Sequence, residues 1–329
     1  MTQLAAERDI TIESYVSGAD SLAQDVREGL GRPAGERELP PKHFYDERGS
    51  ELFDRITRLP EYYPTRCERA ILNRYAPTLV DATEARELVE LGSGTASKTR
   101  ALLYAMAGAG ALERYVPFDV DPSVVEACAG ELTDLYPGLT VHGVVGDFTR
   151  HLGHVPDGEQ RLIAFLGSTI GNLMPDARRD FLAAVRERLG PSDRFLLGTD
   201  LLKDVAVIEA AYNDAQGLTA RFNLNMLRVL NRELDADFDL DAFDHEAAFE
   251  LEPSWVEMRL RARSEQHVRI PGAGLSVTIG AGEAIRTEVS TKFTLDVLAR
   301  ELDSAGMVLE AFFTDPAGMF GLSLASPSG

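Results

Sequence analysis

From Glu87 onward, short apolar runs alternate with longer segments of helical character. The runs are Glu87–Leu91, Tyr115–Val120, Thr140–Val145, Leu162–Leu166 and Arg194–Gly198. Runs this short read as strands buried on both faces. Between them, Lys98–Ala107, Ser123–Leu135 and Asp176–Leu189 read as helices. Strand–helix alternation of this kind predicts βαβ units and therefore a parallel sheet.

The rhythm breaks after Asp200. Helices are predicted over Asp204–Asp214 and Leu218–Leu234, followed by an acidic stretch from Asp235 to Asp244. In Trp255–Arg263, Val256, Met258, Leu260 and Ala262 share one face, and Glu257, Arg259, Arg261 and Arg263 the other. Strict period two marks a half-buried strand. Arg286–Phe293 alternates in the same way, with Arg286, Glu288, Ser290 and Lys292 on one side. A helix over Leu295–Ala305 precedes two strands, Met307–Phe313 and Phe320–Ala325. The turn Asp315-Pro316-Ala317-Gly318 joins these strands, so they should pair antiparallel. Ahead of the regular region lie a helix over Ser21–Leu30, a Pro/Gly-rich linker and the aromatic patch Lys42-His43-Phe44-Tyr45-Asp46. In Leu59-Pro60-Glu61-Tyr62-Tyr63-Pro64 the two prolines predict a stiff, extended loop.

Composition narrows the classes of function. With 329 residues, 44% of them hydrophobic, the chain is long enough for two domains and rich enough for a large core. A formal net charge of -20 speaks against nucleic acid or an anionic membrane as partner, because phosphates would be repelled. Two cysteines, Cys67 and Cys128, and six scattered histidines suggest neither a disulfide framework nor a metal site. A reducing cytoplasm is the expected compartment. No signal-peptide pattern opens the chain, and the apolar stretch Leu102–Leu112 is too short and Gly-rich to span a bilayer.

Candidate chemistry concentrates at the ends of the predicted strands. Val89-Glu90-Leu91-Gly92-Ser93-Gly94-Thr95 lies between the first strand and the first helix, where glycines let a ligand approach the backbone. Asp119 ends the second strand, where a carboxylate can accept from ribose hydroxyls. Gly146-Asp147-Phe148 ends the third, offering an acceptor for an adenine amino group and a ring to pack on it. The third glycine of the dinucleotide fingerprint is missing, and no dyad for hydride transfer stands out. These features favour methyl transfer over a nicotinamide reaction. The expected fold is α/β: a Rossmann-like methyltransferase domain, mostly parallel and ending in an antiparallel hairpin, with a second, smaller α+β domain. Residues 67–202 and 293–329 would form the first, and 1–66 and 203–292 the second.

Lys42–Asp46, Leu59–Thr65, Glu90–Thr95, Phe165-Leu166-Gly167-Ser168-Thr169-Ile170-Gly171-Asn172 and Thr287-Glu288-Val289-Ser290 occur in this order. As an ordered set they closely resemble the actinobacterial histidine Nα-methyltransferases of ergothioneine biosynthesis, over about Ser21 to Ala325. The resemblance implies conversion of free L-histidine to its trimethylated betaine, hercynine, with three molecules of S-adenosylmethionine. It implies that Tyr45, Gly92, Ser93, Gly94, Lys98, Asp119, Asp147 and Phe148 hold that cofactor, and later its product S-adenosylhomocysteine. Tyr62, Asn172 and Tyr212 would hold the amino and carboxylate end and serve the reaction, with Gly167 and Thr169 nearby. Glu288 and Ser290 would read the imidazole, and Met258 would line the pocket. Departures occur at His43, Cys67 and Thr291, where Trp, Thr and Cys are expected. On the residues alone, Asn172 could equally be a turn residue, Met258 a core residue, and Glu288 a surface ion-pair partner of Arg286 or Lys292. The same chemistry on tryptophan or tyrosine, or a non-catalytic S-adenosylmethionine sensor, are the rival functions.

Overall fold

The structure, a computed structural model, describes residues 9–15 and 18–329. In chain order it begins with β1 Ile10–Ser14, α1 Gly18–Leu30, α2 Glu47–Ile56 and α3 Pro64–Thr83. The alternating region follows as β2 Glu87–Leu91, α4 Arg100–Gly108, β3 Arg114–Asp119, α5 Pro122–Leu135 and β4 Thr140–Val145. It continues through α6 Phe148–His151, β5 Arg161–Phe165, α7 Pro175–Arg188 and β6 Arg194–Asp200. Next come α8 Val205–Tyr212, α9 Leu218–Glu233, β7 Phe243–Glu250, β8 Trp255–Ala262, β9 Gln266–Ile270, β10 Leu275–Ile279 and β11 Ala284–Thr291. The chain closes with α10 Leu295–Ser304, β12 Met307–Thr314 and β13 Phe320–Pro327.

Two compact units emerge. The first unites the N-terminal segment, Cys67–Leu201 and Phe293–Gly329. Its eight-stranded sheet runs β1-β4-β3-β2-β5-β6-β13-β12. All pairs from β1 to β6 are parallel. The pairs β6–β13 and β13–β12 are antiparallel, as the Asp315–Gly318 turn predicts. This is the Rossmann-like sheet expected of the α/β class, closed by a hairpin. Both faces are buried. Leu88 and Leu162 belong to a core shared with α3, α4 and α5. Their neighbours Val89, Leu91 and Ile163 belong to a second core shared with α7 and α10. Alternate residues of each strand thus feed opposite layers.

The sequence pattern groups residues 1–66 with the smaller domain, but Ile10–Ser14 is an edge strand of the large sheet, paired in parallel with Val141–Val145. Ile10 and Ile12 reach the first core, while Thr11 and Glu13 are exposed. Five residues of alternation gave too little pattern to read.

The second unit comprises the stretch ending at Arg66 and Leu202–Lys292. It contains the antiparallel sheet β11-β8-β7 and the hairpin of β9 and β10. In β8 burial alternates strictly: Val256, Met258, Leu260 and Ala262 are buried and their neighbours half-buried. Helix α9 packs on this sheet and on α2. Asp46 starts α2 by accepting from the Gly49 N–H at 2.8 Å, an N-cap that satisfies one free amide of the first turn. No helix among the described residues is long and apolar enough to cross a membrane.

Candidate active site

In the first unit, the candidate cofactor residues sit at the carboxyl ends of adjacent parallel strands. The order β4-β3-β2-β5 puts a topological switch between β2 and β5, the place where open α/β sheets bind ligands. Gly92 and Gly94 leave β2 with φ of 70° and 49°, a left-handed region that glycine enters without strain. Neither position has an atom within 4 Å of an added Cβ, so the turn is open above both. Ser93 is buried between them, and its Oγ has no protein partner.

Main-chain groups fix the two acids. The Gly94 N–H donates to Asp119 Oδ2 at 2.8 Å and the Asp121 N–H to Oδ1 at 3.2 Å. Burial pushes the Asp119 carboxyl above its ordinary range, against the pull of those N–H donors. Asp147 accepts from the Thr149 N–H at 2.9 Å and its hydroxyl at 2.6 Å, capping α6. The Phe148 ring meets Phe165 and Phe181 edge-on, at 5.0 and 5.7 Å between centroids.

Two further acids join this end of the sheet. Glu90 is buried and accepts from the Thr99 and Tyr115 hydroxyls, the latter at 2.6 Å. Burial pushes it up to about 7 although both hydroxyls favour the carboxylate. Glu68, on α3, is fully buried. Its Oε2 meets Lys98 Nζ at 2.6 Å, and its Oε1 accepts from the Gly167 N–H at 2.7 Å. A Cβ at Gly198 would lie 2.2 Å from that same Oε1, so the missing side chain on β6 makes room for the carboxylate. The turn after β5 runs through Gly167 and Ser168, both with positive φ. Thr169 bonds back to the Leu166 carbonyl at 2.9 Å, and Asn172 ends the 3₁₀ turn Thr169–Asn172. The unit therefore groups Gly92, Ser93, Gly94, Lys98, Asp119, Asp147, Phe148, Gly167, Thr169 and Asn172 on the strand ends of one sheet.

The second unit gathers the remaining candidates in two groups. Tyr45 and Tyr62 both pack edge-on against Phe53, at 5.5 and 6.0 Å, and Tyr45 also meets Phe222 at 5.5 Å. Tyr62 lies in the irregular loop that the two prolines predict. The other group is on β11 and α8. Tyr212 Oη donates to Ser290 Oγ at 2.8 Å. Met258 and Glu288 are direct cross-strand partners on β8 and β11. Met258 is 2% exposed, whereas Glu288 is half-buried.

Lys292 and Arg286 do not form the surface row that simple alternation suggests. The pairing of β11 with β8 shifts between Arg286 and Glu288. Arg286 bonds Glu38. Lys292 is buried, its Nζ 2.9 Å from Tyr212 Oη and 2.8 Å from Ser290 Oγ. Sequence reading passed over Glu68 and Lys292. Glu68 stands in a helix whose start at Pro64 reads in the sequence as the end of a loop. Lys292 had one usable signal: it shares the period-two face of Ser290.

Among the described residues no three His, Cys, Asp or Glu side chains gather as a metal site. Residues 22–327 match the family described as histidine-specific, S-adenosylmethionine-dependent methyltransferases. A histidine N-alpha-methyltransferase of Mycolicibacterium smegmatis is 52% identical, covering 94% of this chain and 96% of that one. One from Mycobacterium tuberculosis is 50% identical, with the same coverage. Ergothioneine biosynthesis protein 1 of Neurospora crassa is 36% identical over 70% of this chain, a match that covers 27% of the fungal protein.

Proposed function

Since the chain belongs to the histidine-specific, S-adenosylmethionine-dependent methyltransferases, we propose that it methylates the α-amino group of free L-histidine up to three times, giving hercynine for ergothioneine biosynthesis. The observation that carries this reading is the match across residues 22–327, which takes in the strand-end acids of the first unit and the β11 polar group of the second.

When bound, S-adenosylmethionine supplies a methyl group on a sulfonium, ready for in-line displacement by a nitrogen lone pair. The open turn at Gly92 and Gly94 and the unpartnered Ser93 Oγ fit a ligand at this place. In our reading Asp119 accepts from the ribose, Asp147 and Phe148 hold the adenine, and Lys98, Tyr45, Gly92, Ser93 and Gly94 complete the grip. The Glu68 carboxylate holds Lys98 on one oxygen and the Gly167 turn on the other.

Displacement requires a neutral amine with its lone pair aimed at the methyl group. Tyr62, Asn172 and Tyr212 are uncharged, so in this reading they orient the amine and carboxylate without holding the amine protonated, with Gly167 and Thr169 also assigned to the substrate. An α-amino group has an accessible neutral form near physiological pH, so no strong base is required. Glu288 accepts from an imidazole N–H, Ser290 serves the other ring nitrogen, and Met258 lines the pocket.

Mass spectrometry of histidine incubated with the protein and S-adenosylmethionine tests the reading. We expect products heavier by one, two and three methyl groups, ending as the trimethylated betaine. Exclusive methylation of tryptophan or tyrosine would move the substrate, a product stalled at one methyl group would remove the trimethylation, and no product from any amino acid would leave a cofactor sensor.

A further inference from the structure

The Glu68 side chain has no exposed surface, yet its carboxylate joins two distant segments of the chain. Oε2 accepts from Lys98 Nζ at 2.6 Å and Oε1 from the Gly167 N–H at 2.7 Å. Two glycines make room for this. A Cβ at Gly198 would stand 2.2 Å from Oε1, and one at Gly167 would stand 2.9 Å from the Lys98 nitrogen. The ammonium therefore lies beside Gly167, at the start of the turn that carries Thr169 and Asn172. Gly167 and Ser168 both have positive φ, 79° and 59°, and Ser168 lacks a glycine's freedom there. Such a turn keeps its shape only where neighbours hold it. The Asp200 N–H donates to Ser168 Oγ at 2.8 Å, and Glu68 holds Gly167. The other acid near Lys98, Glu90, is bonded to the Thr99 and Tyr115 hydroxyls. Only a carboxylate can make both Glu68 contacts. Lys98 and Gly167 are both donors, so each oxygen must accept. An amide in the same place has one oxygen and one NH2, and either orientation sets two donors against each other.

We infer that Glu68 is a positioning residue for methyl transfer: it couples Lys98, on the cofactor side, to the turn 167–172, on the substrate side, so that filling the cofactor site sets the turn for the amino acid. This deepens, and rests on, the reading that assigns Lys98 to S-adenosylmethionine and Gly167, Thr169 and Asn172 to histidine. The Lys98 side chain is long and 23% exposed, so its free state has rotamers to lose. An ammonium has three hydrogens, and Glu68 needs only one of them. When Lys98 gives another to a ligand, its position narrows, and the carboxylate bonded to it is held more firmly against the Gly167 amide. Lys98 follows β2 and Gly167 follows β5, which are neighbours in the sheet. In-line displacement needs methyl donor and amine aligned across exactly such a junction, and misplacement of either side slows it steeply.

The test measures histidine affinity of the full chain by calorimetry, with and without saturating S-adenosylhomocysteine, and kcat beside it. The wild type should bind histidine at least about fivefold more tightly with S-adenosylhomocysteine present. Glu68→Gln should bring that ratio close to one and lower kcat roughly ten- to hundredfold, the order of effect of a misplacement of about 1 Å. A merely structural glutamate would lower the urea midpoint and leave the ratio of the folded protein at its wild-type value. Gly198→Ala keeps every charge, donor and acceptor and crowds Oε1 of Glu68. It should lower the ratio in the same direction, and it carries the test if Glu68→Gln does not fold. Lys98→Met separates the inference from the reading beneath it. If Lys98→Met weakens S-adenosylhomocysteine binding while Glu68→Gln keeps the wild-type ratio, the inference fails and the reading stands. If Lys98→Met leaves that binding unchanged, Lys98 is not in the cofactor site and both fall. A wild-type ratio of one would also overturn the inference.

Discussion

At the carboxyl ends of β2, β3 and β4, local groups hold Asp119 and Asp147 in place: the Gly94 and Asp121 amides for the one, the Thr149 amide and hydroxyl for the other. On β11 in the second unit, side chains from other elements do the holding. Ser290 is bonded by Tyr212 of α8 and by Lys292. Thr287 donates to Asn223 Oδ1 of α9 at 2.7 Å, and Asn223 in turn reaches His245 of β7 at 2.9 Å. A main-chain amide is present whatever the residue, so the first arrangement needs only the right turn after the right strand. The second needs particular side chains from distant parts of the sequence. The cofactor end can therefore follow a short local pattern, whereas the amino-acid end is rebuilt by changing any of several remote positions.

Glu68 is the exception in the first unit, and its removal should have the largest effect. Its fully buried carboxylate answers both the Lys98 ammonium and the Gly167 N–H. Glu68→Ala leaves both without it and should cost about 3 kcal/mol in the unfolding free energy from urea titration, since removing one member of a buried pair is costly. Glu68→Gln keeps an acceptor for Gly167 and should lose less. If Glu68→Ala unfolded within about 1 kcal/mol of wild type, this carboxylate would not be what ties the turn after β5 to Lys98.

Glu90 provides the next test, through pH. Its folded-state pKa, up to about 7, lies above the ordinary 4.5. Between those two pH values the folded chain keeps a proton that the unfolded chain has released. Its stabilisation is complete below about pH 4.5 and is lost as pH rises through 7. The size is on the order of 3 kcal/mol. Burial pushes His245 the opposite way, below 6.5, so its contribution falls as pH drops. The readout is therefore the difference between wild type and Glu90→Gln. The variant should gain on the wild type steadily from pH 5 to 8, and parallel profiles would refute the burial effect.

The same contrast explains what could be read from the sequence. β2 and β4 lie where their apolar runs put them, and the Gly92–Gly94 turn and Asp119 follow from local spacing. Helix α3 escaped because Pro64, a good first-turn residue, resembled the close of a loop, and Pro77 interrupts its interior. β7, with Asp, Glu and Ala among its residues, has little strand character of its own and forms by pairing with β8. The hairpin of β9 and β10 turns through Pro271–Gly274, a signal too brief to separate from loop. Lys292 could be placed on a face from its spacing, but only packing reveals that this end of the face is buried.

Asp119→Ala probes the arrangement held by the main chain. Removing a charged acceptor typically costs about 1.5 to 3 kcal/mol, so S-adenosylhomocysteine should bind roughly ten- to hundredfold more weakly by calorimetry. The fold should be little affected, because the turn at Gly94 is open and water can reach the amide that the carboxylate leaves. Unchanged binding would remove Asp119 from the site.

Thr287 and Glu288 give the finest test, because they are neighbours on β11 with opposite surroundings. Thr287 is fully buried and bonded to Asn223, while Glu288 is half-buried beside Met258. Thr287→Val keeps the shape and deletes the hydroxyl, leaving the Asn223 carbonyl without its donor. Stability should fall by about 1 to 2 kcal/mol, and Thr287→Ser should restore most of it. The preference for histidine over tryptophan should move much less than with Glu288→Ala, because the Thr287 hydroxyl is committed to Asn223 and to the Met258 carbonyl. Glu288→Ala should do the reverse, leaving the urea midpoint nearly unchanged and reducing the preference for histidine. Measuring both quantities on both variants separates the roles. If Thr287→Val shifts substrate preference as strongly as Glu288→Ala, the two residues act as one unit, and the division between a supporting residue and a reading residue fails.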